Sequence, residues 1–192
     1  MKKIVLILIL AISACSPQKS ITDRVTLTSP DGDLSMEFLL EDGIPMYTLK
    51  HKGTDVLLPS RLGFEIRGSM KSALIRFDGD HITKSDVKPS FLLDRNFELL
   101  CTSNSSFDEY WEPVWGEESS IRNHYHELLV ELKQKESGHL LNIRFRLFDD
   151  GLGFRYEFPD KQRLTHFAIK EELTEFAMAD DCFAWWIPGD YD

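Results

Sequence analysis

From Val25 onward the chain alternates. Leu34, Met36, Phe38 and Leu40 fall on one side of an extended segment, with Ser35 and Glu37 on the other. Alternation with period two predicts a half-buried β-strand. Leu62, Phe64 and Ile66 repeat the pattern, as do Phe97, Leu99 and Cys101. Between such runs stand Asp-Gly and Lys-Gly pairs, Asp42-Gly43 foremost, which is the signal of antiparallel hairpins. The clearest hairpin covers Leu140 to Phe158. Leu141, Ile143, Phe145 and Leu147 face one way, Asp149-Asp150-Gly151 turns the chain, and Leu152, Phe154, Tyr156 and Phe158 return on a common face. Asn142, Arg144 and Arg146 then share the opposite face with Arg155 and Glu157, which predicts charge pairing across the strands.

Two stretches carry both periods. Ile121, Tyr125, Leu128, Leu129 and Leu132 form a helical stripe, yet His126, Leu128, Val130 and Leu132 alternate as a strand. Residues 164–178 show the same ambiguity. There is no internal repeat and no low-complexity tract.

The beginning of the chain follows a different pattern. Lys2 and Lys3 precede nine consecutive apolar residues, Ile4 to Ile12, and Ser13-Ala14 lead into Cys15. The run is shorter than the roughly 20 residues a membrane-spanning helix needs, so it reads as an export signal over residues 1–14. Small residues directly before a cysteine resemble a bacterial lipoprotein signal, with Cys15 as the lipid-attachment residue. An ordinary secretory signal is the alternative. Residues 15–23 are polar and aperiodic and read as a tether. The fold is expected over 24–192.

Composition narrows the classes. In 192 residues, 42% hydrophobic and 11% aromatic content exclude a disordered tail, and three cysteines are too few for a disulfide-built miniprotein. A formal charge of -10 argues against nucleic acid or an anionic lipid surface as a charge-driven partner. The membrane is therefore expected to be met through the lipid anchor alone. Cys101 and Cys182 offer a disulfide or, since each lies beside apolar residues, two buried free thiols, the reading favoured here.

Candidate chemistry is sparse. His124 and His126, two apart on a strand, would point to the same side, but His51, His81, His139 and His166 show no metal-ligand spacing, so hydrogen-bonded strand histidines are expected. No phosphate loop, Gly-x-Ser-x-Gly elbow or Cys-x-x-Cys pair is present. What stands out is tryptophan among carboxylates. Trp111 and Trp115 lie near Glu109, Glu112, Glu117 and Glu118, while Trp185 and Trp186 lie among Asp180, Asp181, Asp190 and Asp192. Such rings either stack on the C–H face of a sugar whose hydroxyls meet the carboxylates, or fill a core or an interface. These four tryptophans and Arg155 are the candidate carbohydrate or domain-interface residues.

Four blocks, in order, carry a family resemblance: Leu27 to Gly32, Trp111-Glu112-Pro113-Val114-Trp115-Gly116-Glu117, Phe145 to Glu157, and Ala184 to Asp192. Together they resemble the N-terminal domain of glycoside hydrolase family 97, which contains exported bacterial α-glucosidases and α-galactosidases. The resemblance implies a mostly β fold, an antiparallel β-supersandwich of the galactose-mutarotase type, here incomplete, and it favours strand over helix for residues 121–133. It also implies a following (β/α)8 barrel of the same polypeptide that carries the catalytic carboxylates, an α-linked oligosaccharide substrate, and calcium in the full-length enzyme. A calcium-binding glutamate is expected just after the segment matching Trp186 to Asp192, so no catalytic or metal-binding role falls on a residue of this sequence. The expected protein is the amino-terminal piece of an exported α-glycosidase in the bacterial cell envelope, inactive alone. A stand-alone, lipid-anchored sugar-binding module is the competing reading; a small self-sufficient hydrolase is the least favoured.

Overall fold

The computed structural model of the chain describes residues 24–67, 77–78, 81–82, 90–159, 167–183 and 185. Cys15, the export signal, the tether, His166 and Trp186 lie outside the described residues. Among the described residues thirteen strands follow one another: β1 Arg24–Thr28, β2 Leu34–Glu41, β3 Ile44–His51, β4 Thr54–Arg61, β5 Phe64–Arg67, β6 Phe77–Asp78, β7 His81–Ile82, β8 Ser90–Leu93, β9 Phe97–Trp111, β10 Ile121–Gln134, β11 Leu140–Leu147, β12 Leu152–Glu157 and β13 Ala168–Glu172. Two four-stranded antiparallel sheets, ordered β1-β2-β3-β4 and β12-β11-β10-β9, form the layers, beside a third sheet ordered β13-β5-β8 and a small β6-β7 pair. The fold is a mostly β antiparallel sandwich.

Local chemistry accounts for the meander. The β2-β3 turn holds Asp42 and Gly43 at φ 51° and 76°, and the β3-β4 turn holds Lys52 and Gly53 at 50° and 82°. Paired positive φ values match the right-handed twist of two flanking strands, which is why two-residue turns suffice.

The core lies between the two large sheets. Phe38 and Tyr47 of the first sheet meet Phe145 of the second with ring centroids 6.3 and 6.2 Å apart, and Tyr47 meets Phe154 at 5.4 Å. Phe38, Tyr47 and Phe145 are fully buried, as are Leu141, Ile143 and Leu147 on β11. Burial of each such side chain contributes about 1.5–3 kcal/mol. The third sheet joins this core through Phe64, whose ring stands edge-on to Tyr156 at 4.3 Å.

Residues 173–179 act as a strap along β4. Leu173 N–H donates to the Gly63 carbonyl, Glu175 N–H to Arg61, and Ala179 N–H to Val56, while Leu58 N–H donates to Ala177. β13 pairs antiparallel with β5, so β4-β5 and β13 with its strap form one antiparallel ribbon shared by two sheets. The Tyr47 hydroxyl donates to the Glu175 carbonyl at 3.0 Å, fastening the strap to the core. At Gly63 the backbone passes so close to β8 that a Cβ would sit 2.7 Å from the Asp94 Cα and the Leu93 oxygen. Only glycine fits there.

Residues 121–134 are strand, resolving one ambiguous stretch; of the other, Ala168–Glu172 is strand and 173–179 is the strap. Two expectations need correction. Phe97, Leu99 and Cys101 do not share a face, because a bulge in β9 pairs Leu99 with Leu132 but Cys101 with Glu131, one residue of β10 against two of β9. Cys101 therefore turns to the outer side and is only partly buried. Cys182 is not buried either: it follows the strap and is exposed, and both are free thiols.

Candidate functional site

Beyond its bulge β9 keeps pairing with β10, and past the end of β11, from Phe107 opposite Tyr125 outward, the two strands continue as a two-stranded arm. The ladder runs unbroken from Thr102 opposite Val130 to Trp111 opposite Ile121. Phe107 stacks on Tyr125 at 5.3 Å, Tyr125 meets Phe148 at 5.2 Å, and the Arg146 guanidinium lies 4.5 Å from the Tyr125 ring centroid. Cross-strand aromatic pairs of this kind stiffen a ribbon. Nearer the tip, Arg122 forks onto Asp108 through two hydrogen bonds of 2.8 Å and lies over the Tyr110 ring. The Arg122 fork holds the Asp108 carboxyl below its usual pKa.

His126 anchors the arm to the other sheet, its Nδ1 2.8 Å from the Thr28 carbonyl oxygen. His124 differs from the expected hydrogen-bonded histidine: its Nδ1 is buried without a hydrogen-bond partner. The rings of His124 and His126 stand 78° apart with centroids separated by 6.5 Å. Among the described residues, no group of three or more histidine, cysteine or acidic side chains is placed to hold a metal ion.

At the arm's tip the aromatic side chains turn outward. Tyr110 is 67%, Trp111 48% and Trp115 89% exposed, beside a fully exposed Val114. Glu109, Glu112, Glu117 and Glu118 are exposed around them. Neither Trp111 nor Trp115 fills the core. The tip thus offers ring faces with carboxylate acceptors at their rim, a surface suited to a pyranose or to an apolar partner surface.

The other candidates lie elsewhere. Trp185 is 96% exposed after the strap, and among the described residues no ring contact joins it to Trp111 or Trp115. Arg155 projects from the outer face of β12, where its Nε and Nη2 both reach Glu157 Oε1, at 2.9 and 2.8 Å. It belongs to a lattice that sequence spacing foretold only in part. Arg144 pairs with both Glu127 and Glu157, and Arg146 donates to Glu127 at 2.8 Å. Glu127, only 8% exposed, is the centre of this lattice and went unrecognised in the sequence, since a lone glutamate in an ambiguous helix or strand carries no signal. Burial pushes its pKa up, but hydrogen bonds from Arg146 and Arg144 outweigh that and set it below the ordinary glutamate value.

Two of the sequence blocks meet in space. Asp31 N–H donates to Asp149 Oδ1 at 2.9 Å, joining the turn before β2 to the turn between β11 and β12. Tyr110, the third exposed ring of the tip, went unrecognised in the sequence, where the tryptophans beside it carried the aromatic signal.

Fold and surface define an antiparallel β-sandwich domain with an exposed, aromatic-tipped arm. The family model described as the glycosyl-hydrolase 97 N-terminal domain matches residues 27–192, and the chain belongs to that family. Among solved structures it is similar to a glycoside hydrolase family 97 enzyme from Pseudoalteromonas sp. strain K8 in complex with panose and in complex with acarbose. In both cases the identity is 29% and the TM-score 0.68, over 86% of this chain and 22% of the other. A β-arabinopyranosidase crystal structure shares the fold, with a TM-score of 0.61 at 22% identity, over 80% of this chain and 21% of the other. The chain thus spans about a fifth of the length of these enzymes.

Proposed function

We propose that this chain is the supporting, sugar-facing N-terminal domain of an exported α-glycosidase, with the chemistry carried by a (β/α)8 barrel of the same polypeptide. The observation that carries this reading is the arm: a stiffened two-stranded ribbon that holds Trp111 and Trp115 out of the core with carboxylates around them. The family match supports it, since the matching model is that of an N-terminal domain, and the similar Pseudoalteromonas enzyme was solved with panose and with acarbose. An α-linked oligosaccharide is the ligand class in this reading. Cys15 would tether the protein by lipid to the cell envelope, as the basic and apolar run before it suggests, and calcium would serve the barrel rather than this sandwich. Trp185 and Trp186 are assigned to the domain interface.

The test uses the 192-residue chain itself. Calorimetry should show weak binding of maltotriose, with a Kd of the order of 1 mM, and no turnover of p-nitrophenyl α-glucoside or α-galactoside. Turnover by the purified chain would overturn the proposal, and so would a folded chain that takes up no maltotriose.

A further inference from the structure

The outer face of β10, β11 and β12 carries a second built site, far from the arm's tip in character. Its strands place Glu127 opposite Arg146 and Arg146 opposite Gly153, with Arg144 opposite Arg155 in the next row. Arg144 has all its directed hydrogen bonds on Glu127 and Glu157. Arg146 does not. Its Nε serves Glu127 and its face lies on Tyr125, and among the described residues its two terminal nitrogens meet no acceptor. Arg155 is held by Glu157 through Nε and Nη2, leaving Nη1 without one.

These groups surround a pocket of about 200 Å³ lined by Arg144, Arg146, Phe148, Gly153, Phe154 and Arg155. Three of its six lining residues are arginines and none is acidic. At ~30 Å³ per water the volume accepts one small charged group rather than a whole oligosaccharide. Gly153 keeps it open. A glycine inside a strand costs stability and marks sites where a ligand comes close, and a Cβ added here would meet nothing within 4 Å. Preset arginine forks beside apolar ring walls favour a planar or tetrahedral oxyanion.

We infer that the pocket over Gly153 binds a single oxyanion group, a carboxylate or sulfate, through Arg146 and Arg155. The group comes from an acidic saccharide or from a free inorganic anion. This site is separate from the arm's aromatic tip and from the sugar-facing role proposed for it.

Calorimetric titration of the full chain at low ionic strength, with sodium sulfate and with methyl α-glucuronide, tests the inference. Binding is expected for at least one of them. Arg155→Gln should weaken it at least about tenfold, the effect of losing one charge-assisted contact. Gly153→Val should abolish it by filling the slot while suiting the strand, so stability is retained. Tighter binding of the glucuronide identifies a saccharide source; sulfate binding alone identifies a free ion. Absence of binding to both, or binding that survives Arg155→Gln, overturns the inference. Maltotriose binding should be unchanged in both variants, which separates failure here from failure of the arm's role.

Discussion

Phe145 and Trp115 are both large aromatic residues on the second sheet or its arm, yet one is fully buried and the other 89% exposed. The difference is one of partners. Phe145 stands in a strand whose alternate positions all face the first sheet, where Phe38 and Tyr47 receive it. Trp115 follows Trp111-Glu112-Pro113, past the point where β9 has any layer beneath it, and the residues around it are carboxylates. The sandwich body is held by interlocking rings, whereas the arm is held by its own ladder, the Arg122–Asp108 fork and the His126 anchor. A surface built this way can change without collapsing the body.

That contrast can be broken most sharply by cavity formation. Phe145→Ala should cost about 3–5 kcal/mol in denaturant unfolding, the cost of removing a buried ring; a loss below 1 kcal/mol would show that the two sheets do not depend on each other. Gly63→Ala comes next. Its Cβ meets backbone at 2.7 Å, so roughly 1–3 kcal/mol of destabilisation is expected, checked by the urea midpoint.

Titration separates body and surface by pH. Burial raises the pKa of Tyr47 and Tyr156 to about 12, above the ordinary tyrosine value of 10.0. The unfolded chain therefore ionises first. Stability is full below pH 10 and falls between pH 10 and 12, by about 1.4 kcal/mol per pH unit for each tyrosine. Equilibrium unfolding followed against pH, with Tyr47→Phe and Tyr156→Phe each flattening the slope, is the check. Glu127 and Glu157 act in the opposite sense, because their folded pKa values lie below the ordinary 4.5. Their contribution is complete above that value and is lost as pH falls through the folded values, an acid limb that Arg144→Gln should shrink. Tyr47→Phe at neutral pH should cost about 1 kcal/mol through the lost bond to the Glu175 carbonyl. The smallest effect is expected for Trp115→Ala, within about 0.5 kcal/mol, as for other exposed positions. A cost matching that of Phe145→Ala would erase the distinction between body and arm.

The body was largely legible because alternation states burial directly. Leu141, Ile143, Phe145 and Leu147 read as one face and are one face. β10 was ambiguous for a physical reason: Tyr125 on its outer side is covered by Phe107, Phe148 and Arg146, and Leu129 stands on that same side, so apolar residues occur on both faces and mimic a helical stripe. The bulge near Cys101 had no local marker. The strap was equally silent, since its partners in β4 lie more than a hundred residues earlier in sequence and its pairing depends on three-dimensional proximity alone. For the tip, sequence supplied the residue types and the resemblance supplied the family, but whether the tryptophans lay inside or outside was decided only by the end of the supporting layer.

The central claim is that the arm's aromatic tip is a sugar-facing surface on a body that stands without it. Parallel calorimetry with maltotriose and thermal unfolding of the native chain and Trp115→Ala test it most directly. The account predicts binding lost in the variant at an unchanged Tm; maltotriose binding that persists without Trp115, or a Tm that drops as it does for Phe145→Ala, would contradict it.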